Sequence, residues 1–233
     1  MRQFSDPHLA ALAVLVVASV GGVATARRHP GRPTVVMCRA LAVAIFAGWA
    51  GEYVADVVTG IWTVRYDLPL QLTDAVSVTS VLALWTRRPG LAELVYLWAL
   101  SASLQATITP DLAWTFPSVF YFTYFVYHVG AIVAGLTLVF GCRLYPRPGA
   151  AWRAFGATLL VAAAAATADL GFGANYMYLA RKPAHGSLLS VLGPWPWYIA
   201  AAAGVGLGML FILQGLASVV ARSDRRVPRG SPG

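Results

Sequence analysis

Seven apolar runs, each close to the length of one bilayer crossing, follow one another along this chain with short polar breaks between them. They lie at 8–26, 35–58, 68–85, 91–108, 118–140, 154–172 and 195–220. A hydrocarbon core of roughly 30 Å needs about 20 apolar residues per helical crossing. Pro30, Pro33, Pro89, Pro110, Pro117, Pro146, Pro148 and Pro194 fall between the runs, where proline punctuates helices. The expected fold is therefore all-α: a polytopic membrane helix bundle of about seven transmembrane helices.

Composition agrees. Charged residues make up 11% of the 233 and hydrophobic ones 58%, whereas soluble domains carry about 25% charged residues. Seven crossings use up the chain, so one transmembrane domain is expected over 1–221, in a multi-pass cell-membrane protein. The stretch 222–233 reads as a disordered basic cytoplasmic tail. The first run ends on Ala24-Thr25-Ala26, which resembles a signal-peptide cleavage site. Asp6 offsets Arg2, however, and Arg27-Arg28 follows at once, as suits a retained helix.

The net charge is +8, which in a soluble chain would raise nucleic acid as a partner. Here the basic residues sit between apolar runs and report topology instead. Thirteen of the 17 fall on one side: Arg27, Arg28, Arg32, Arg39, Arg87, Arg88, Arg143, Arg147, Arg153, Arg222, Arg225, Arg226 and Arg229. Arg2, Arg65, Arg181 and Lys182 fall on the other. The positive-inside rule then puts the N-terminus outside and the C-terminus in the cytoplasm. Cys38 and Cys142 support neither a disulfide framework nor a zinc site, and read as small core residues.

The embedded polar residues are lopsided on that topology. Glu52, Asp56, Gln71, Thr73, Asp74, Gln105, Asp111, Asp169 and Asn175 lie in the outer half, and His128 lies at mid-depth. Glu93, near Arg87 and Arg88, is the main exception. An ionisable group in the hydrocarbon costs about 2.5–3.5 kcal/mol on insertion scales, so these side chains should face a shared interior or a wet cavity. Helical spacing agrees. Gly48, Glu52 and Asp56 recur every four residues; Thr73, Ser77 and Ser80 form a second stripe; Tyr121, Tyr124 and His128 share a third. Interhelical hydrogen bonding explains any one of them; their clustering points to a cavity.

Several segments carry a resemblance: Leu68-Pro69-Leu70-Gln71-Leu72-Thr73-Asp74, Gln105 through Pro110-Asp111-Leu112, and Phe116-Pro117-Ser118. His128-Val129-Gly130 after an aromatic run adds to them, as do Asn175-Tyr176-Met177-Tyr178-Leu179, Arg181-Lys182-Pro183, Ser187-Leu188-Leu189 and Gly193 through Tyr198. Over roughly 68–198 the chain resembles YwaF-like bacterial integral membrane proteins. Eukaryotic relatives of that family include a transmembrane acyltransferase that remodels ether phospholipids. More distant are the androgen-induced and androgen-dependent hydrolases of fatty-acid esters of hydroxy fatty acids. The resemblance implies a lipid-active enzyme whose nucleophile stands at Thr73 and whose histidine is His128. The acyltransferase branch carries cysteine at the first position, whereas the hydrolases pair threonine with histidine, so the second chemistry is the closer.

That chemistry is sound for these residue types. A threonine hydroxyl needs an adjacent base, and histidine, with a reference pKa near 6.5, is the usual one. His8, His29 and His185 read as helix ends or loops, leaving His128 as the embedded histidine. With these boundaries Thr73 sits about 8 Å below the outer edge and His128 about 15 Å, at roughly 1.5 Å per residue, a gap that tilt or a shifted boundary must close. Gln71, Asp74, Glu52, Gln105, Asp111, Asn175, Tyr178, Arg181 and Lys182 are the candidates for support or substrate binding. Asp74 could orient His128 or pair with Arg181 or Lys182; Gln71 and Asn175 could donate to an oxyanion. Neither a metal nor another cofactor is expected, and the expected partners are membrane lipids. A small-molecule transporter or binding protein, and a non-catalytic scaffold, are the competing readings. Lys182 lies in a loop, which excludes a retinal protein; no G-x-S-x-G, P-loop or dinucleotide fingerprint is present.

Overall fold

The computed structural model describes residues 1–183 and 188–226, and among these it is helical with no strand. Seven helices make up the bundle. They are α1 (Asp6–Arg28), α2 (Arg32–Thr59), α3 (Leu72–Thr86), α4 (Pro89–Ile108), α5 (Val119–Gly141), α6 (Ala150–Phe172) and α7 (Trp197–Arg226). Six are long and apolar enough to cross a bilayer; α3, at 15 residues, is the shorter one. At 1.5 Å per residue α3 spans only about 22 Å. It still joins the far end of α2 to the near end of α4, so the chain alternates direction throughout. The C-terminal ends of α1, α5 and α7 meet where Arg27 bonds Phe140 O and Asp224. This end carries most of the arginines, and residues 60–71, 109–118, 173–183 and 188–196 gather at the other.

The helix starts follow local chemistry. Pro7, Pro33 and Pro89 occupy first turns, where proline's missing N–H costs nothing. Ser118 caps α5 by accepting from Phe120 N at 3.3 Å. The third run departs from expectation. Its helix begins at Leu72, because Leu68 N donates to Tyr176 Oη (2.8 Å) and the Asp74 carboxylate caps Gln71 N (2.8 Å), holding 68–71 outside the helix. At the far end, residues 222–226, expected as tail, are the last turns of α7. Residues 227–233, the loop histidine His185, and Ser187 of the loop signature lie outside the described residues.

α5 is the central helix: 83% of its apolar window is buried, against 6% for α7. Glycine makes that centre tight. A methyl group at Gly135 would stand 3.0 Å from Tyr96 Cα, so α5 packs onto the backbone of α4 there. One at Gly48 would stand 2.8 Å from Val126 Cγ1, bringing α2 equally close. The periphery is apolar: Val17, Leu160 and Leu170 are 72%, 75% and 89% exposed, as a lipid-facing surface requires. Two π-helical segments, Ala99–Ser103 within α4 and Thr137–Gly141 closing α5, interrupt the regular ladder. Such bulges are frequent beside functional sites.

Candidate functional site

α5 brings His128 into the middle of the bundle. The imidazole is 3% exposed and lies 4.3 Å, centroid to centroid, from both Tyr124 and Tyr127. Its Nδ1 is buried without a hydrogen-bond partner. The neighbouring tyrosine on the same turn, Tyr127, sits against the Glu52 carboxyl of α2. Glu52 Oε2 is likewise buried and unpartnered. Most buried polar groups in native proteins find a partner, and one left without costs about 1–3 kcal/mol. Two such groups lie on adjoining helices here; among the described residues Ser19 Oγ, Ser80 Oγ, Thr137 Oγ1 and Asp169 Oδ2 are unpartnered as well.

Thr73 stands in the first turn of α3, half-buried. It shares a helix face with Ser77 and Ser80, which are 1% and 0% exposed, so this hydroxyl stripe points into the bundle. Ser77 Oγ donates to Thr73 O at 2.9 Å, and Ser80 Oγ is buried without a partner. Asp74, the neighbour of Thr73, lies near enough to Glu52 and Tyr127 to act on both electrostatically. Among the described residues, no hydrogen bond joins Thr73 to His128.

Asp74 itself is fully engaged. Its Oδ1 accepts from Trp49 Nε1 (2.9 Å) and Tyr53 Oη (2.7 Å), both on α2, while Oδ2 caps α3. It is the tether between α2 and α3, and is bonded to none of His128, Arg181 and Lys182. The loops at this end of the bundle are tied down with similar economy. Tyr176 Oη donates to Val64 O (2.7 Å), and Tyr176 N donates to Asp169 Oδ1 (2.7 Å), leaving Asp169 Oδ2 buried and unpartnered. Gln71 Oε1 accepts from Met177 N at 2.9 Å. Asn175 accepts from Ala180 N (3.1 Å) and Arg181 N (2.9 Å) and donates to Arg181 O (3.0 Å), closing its own loop. Asn175 and Gln71 thus shape the loop through these bonds.

The remaining candidates divide by exposure. Gln105 is exposed and bonds Thr109 within its own helix end. Arg181 is exposed. Lys182 donates to Ser190 O (3.2 Å) and lies 5.4 Å from the Tyr198 ring centre. Tyr178, at a left-handed φ of 56°, directs its hydroxyl toward Asp111 Oδ2 at 3.4 Å. Burial, and then the Asp111 carboxylate, hold that phenol above its ordinary pKa, so it stays a donor. Asp111 and Tyr178 also lie near enough to Tyr124 to act on it electrostatically, which places these loops over the His128 region. Among the described residues, no group of three or more histidine, cysteine or acidic side chains is placed to hold a metal ion.

One buried histidine escaped the sequence reading. His8, expected at a helix end, is 0% exposed. Its Nδ1 accepts from Phe4 N (2.8 Å), so the proton is on Nε2, which donates to Thr107 O (2.9 Å). Both ring nitrogens are satisfied, which is the structural counterpart of the unsatisfied His128. Tyr121 Oη, donating to Pro7 O at 2.6 Å, belongs to the same N-terminal anchor. Comparison with known proteins adds one match: the model of the TMEM164 family covers residues 3–214. No curated protein and no solved structure matches the chain.

Proposed function

The chain belongs to the TMEM164 family, and from that premise we propose a multi-pass membrane enzyme that hydrolyses or transfers lipid acyl esters through Thr73 and His128. The observation that carries this is the unpartnered Nδ1 of a buried imidazole, in a bundle where α3 also turns a hydroxyl stripe inward. A purely structural histidine at that depth would be bonded as His8 is. The resemblance to YwaF-like proteins and their acyltransferase and hydrolase relatives supports the same reading. With the arginine-rich end placed in the cytoplasm by the charge bias, the site lies toward the outer leaflet.

In this proposal Thr73 Oγ1 attacks the ester carbonyl carbon as His128 takes its proton. The tetrahedral intermediate then collapses. The carbonyl re-forms, the bond to the leaving alcohol breaks, and His128 returns the proton to that alcohol. Water or a second lipid hydroxyl attacks the acyl-threonine in the same way, giving hydrolysis or transfer. Catalytic hydrogen bonds often close only in the substrate complex.

The test is ester turnover by purified variants. Thr73→Ala and His128→Ala should each lower it by at least about 100-fold, the low end for a nucleophile–base pair. The double variant should be little worse than either, because the two act as a unit. Thr73→Cys should retain turnover. Full activity in Thr73→Ala would end the nucleophile assignment and favour a transporter or binding protein.

A further inference from the structure

At the arginine-rich end the chain encloses a second polar feature, on the far side of the bundle from His128. A cavity of about 260 Å³ lies between the α1–α2 turn, the end of α3 and the segment after α5. Arg27, Arg87 and Arg143 line it, with Thr34 and Cys142 beside them. Arg87 and Arg143 take left-handed backbone φ of 51° and 60°, a region that side chains other than glycine's adopt at a cost. Membrane topology alone asks only that arginines be on this side; it does not ask three separate segments to converge on one cavity.

The charges around it do not cancel. Asp224 is shared by Arg27 (2.8 Å) and Arg143 (3.3 Å), and Tyr145 also donates to it. Three guanidiniums face one carboxylate, leaving two positive charges. A phosphomonoester carries about −1.5 to −2 near neutral pH, and guanidinium forks suit phosphate oxygens. Adjoining this cavity, and sharing Arg27 with it, is an apolar groove of about 510 Å³ lined by Val20, Val23, Ala24, Leu136 and Phe140. It follows α1 for about two turns, roughly 12 Å, and its lip is Val20, 64% exposed on the surface that faces lipid. A soluble anion has no use for such a groove; an acyl chain fills it.

We propose that this end of the protein binds an anionic phospholipid, its phosphate held by Arg27, Arg87 and Arg143 and one acyl chain laid in the groove along α1. The site is independent of the ester chemistry proposed above. Native mass spectrometry of the detergent-purified full chain tests it with three probes: phosphatidic acid, phosphatidylcholine with the same chains, and inorganic phosphate. The intact protein should retain phosphatidic acid at least tenfold better than phosphatidylcholine. The R87Q/R143Q double variant should fall to the phosphatidylcholine level. Val20→Trp, which fills the groove from its lipid-facing lip and touches no arginine, should weaken phosphatidic acid binding several-fold; it carries the test if the double variant melts early. Equal retention of the two lipids would overturn the proposal, as would phosphatidic acid binding untouched by either variant. Inorganic phosphate competing as well as the lipid would also overturn it, since the groove would then contribute nothing.

Discussion

Two buried carboxylates, at opposite ends of the same bundle, have opposite surroundings. Glu93, at the arginine-rich end, is 2% exposed and accepts five hydrogen bonds from Arg147 and Arg153, including the Arg147 backbone N–H. Glu52, toward the other end, keeps a buried oxygen with no partner, as does Asp169, and His128 keeps an unpartnered ring nitrogen. A charge taken into a low-dielectric interior is tolerable when fully bonded and costly when not. The first arrangement is built for stability. The second gives stability away.

Substitutions separate the two kinds of carboxylate. Glu93→Ala should destabilise most, by about 3 kcal/mol; that is the low end for breaking a buried pair, because Arg147 and Arg153 keep access to water. Asp74→Ala comes next, at about 2 kcal/mol, from a lost helix cap of about 1 kcal/mol and two interhelical bonds of about 0.6 kcal/mol each. Glu52→Gln should change stability least, by under about 0.5 kcal/mol, because the amide oxygen can still accept from Tyr127 and Oε2 has no bond to lose. Unfolding of the purified variants in one detergent gives the order directly. A Glu52→Gln loss as large as that of Asp74→Ala would make Glu52 a structural residue and dissolve the contrast.

The spans and the lopsided placement of embedded polar residues were legible in the sequence, because both depend on composition along the chain. What was not legible depends on distant contacts. His8 looked like a helix-end histidine, yet Thr107, 99 residues away, supplies its acceptor. Asp74 looked free to serve His128, yet Trp49 and Tyr53 of the preceding helix claim it. The run from Leu68 looked helical by hydropathy, but Tyr176, 108 residues on, holds Leu68 out of the helix. Glu93 lay beside Arg87 and Arg88 in sequence, while its partners come from the loop and helix that follow α5. The hydroxyl stripe of Thr73, Ser77 and Ser80 was readable from spacing alone, since one helix face is a local property.

The account rests on Thr73 being a nucleophile activated beside His128, and covalent labelling asks that question with no assumption about the lipid. Membranes containing the intact protein are treated with a fluorophosphonate probe, alongside Thr73→Ala and His128→Ala expressed to the same level. The expected result is a labelled band for the intact protein, none for Thr73→Ala, and a strongly slowed one for His128→Ala. Equal labelling of the intact protein and Thr73→Ala would contradict the account, placing any reactive group elsewhere in the chain.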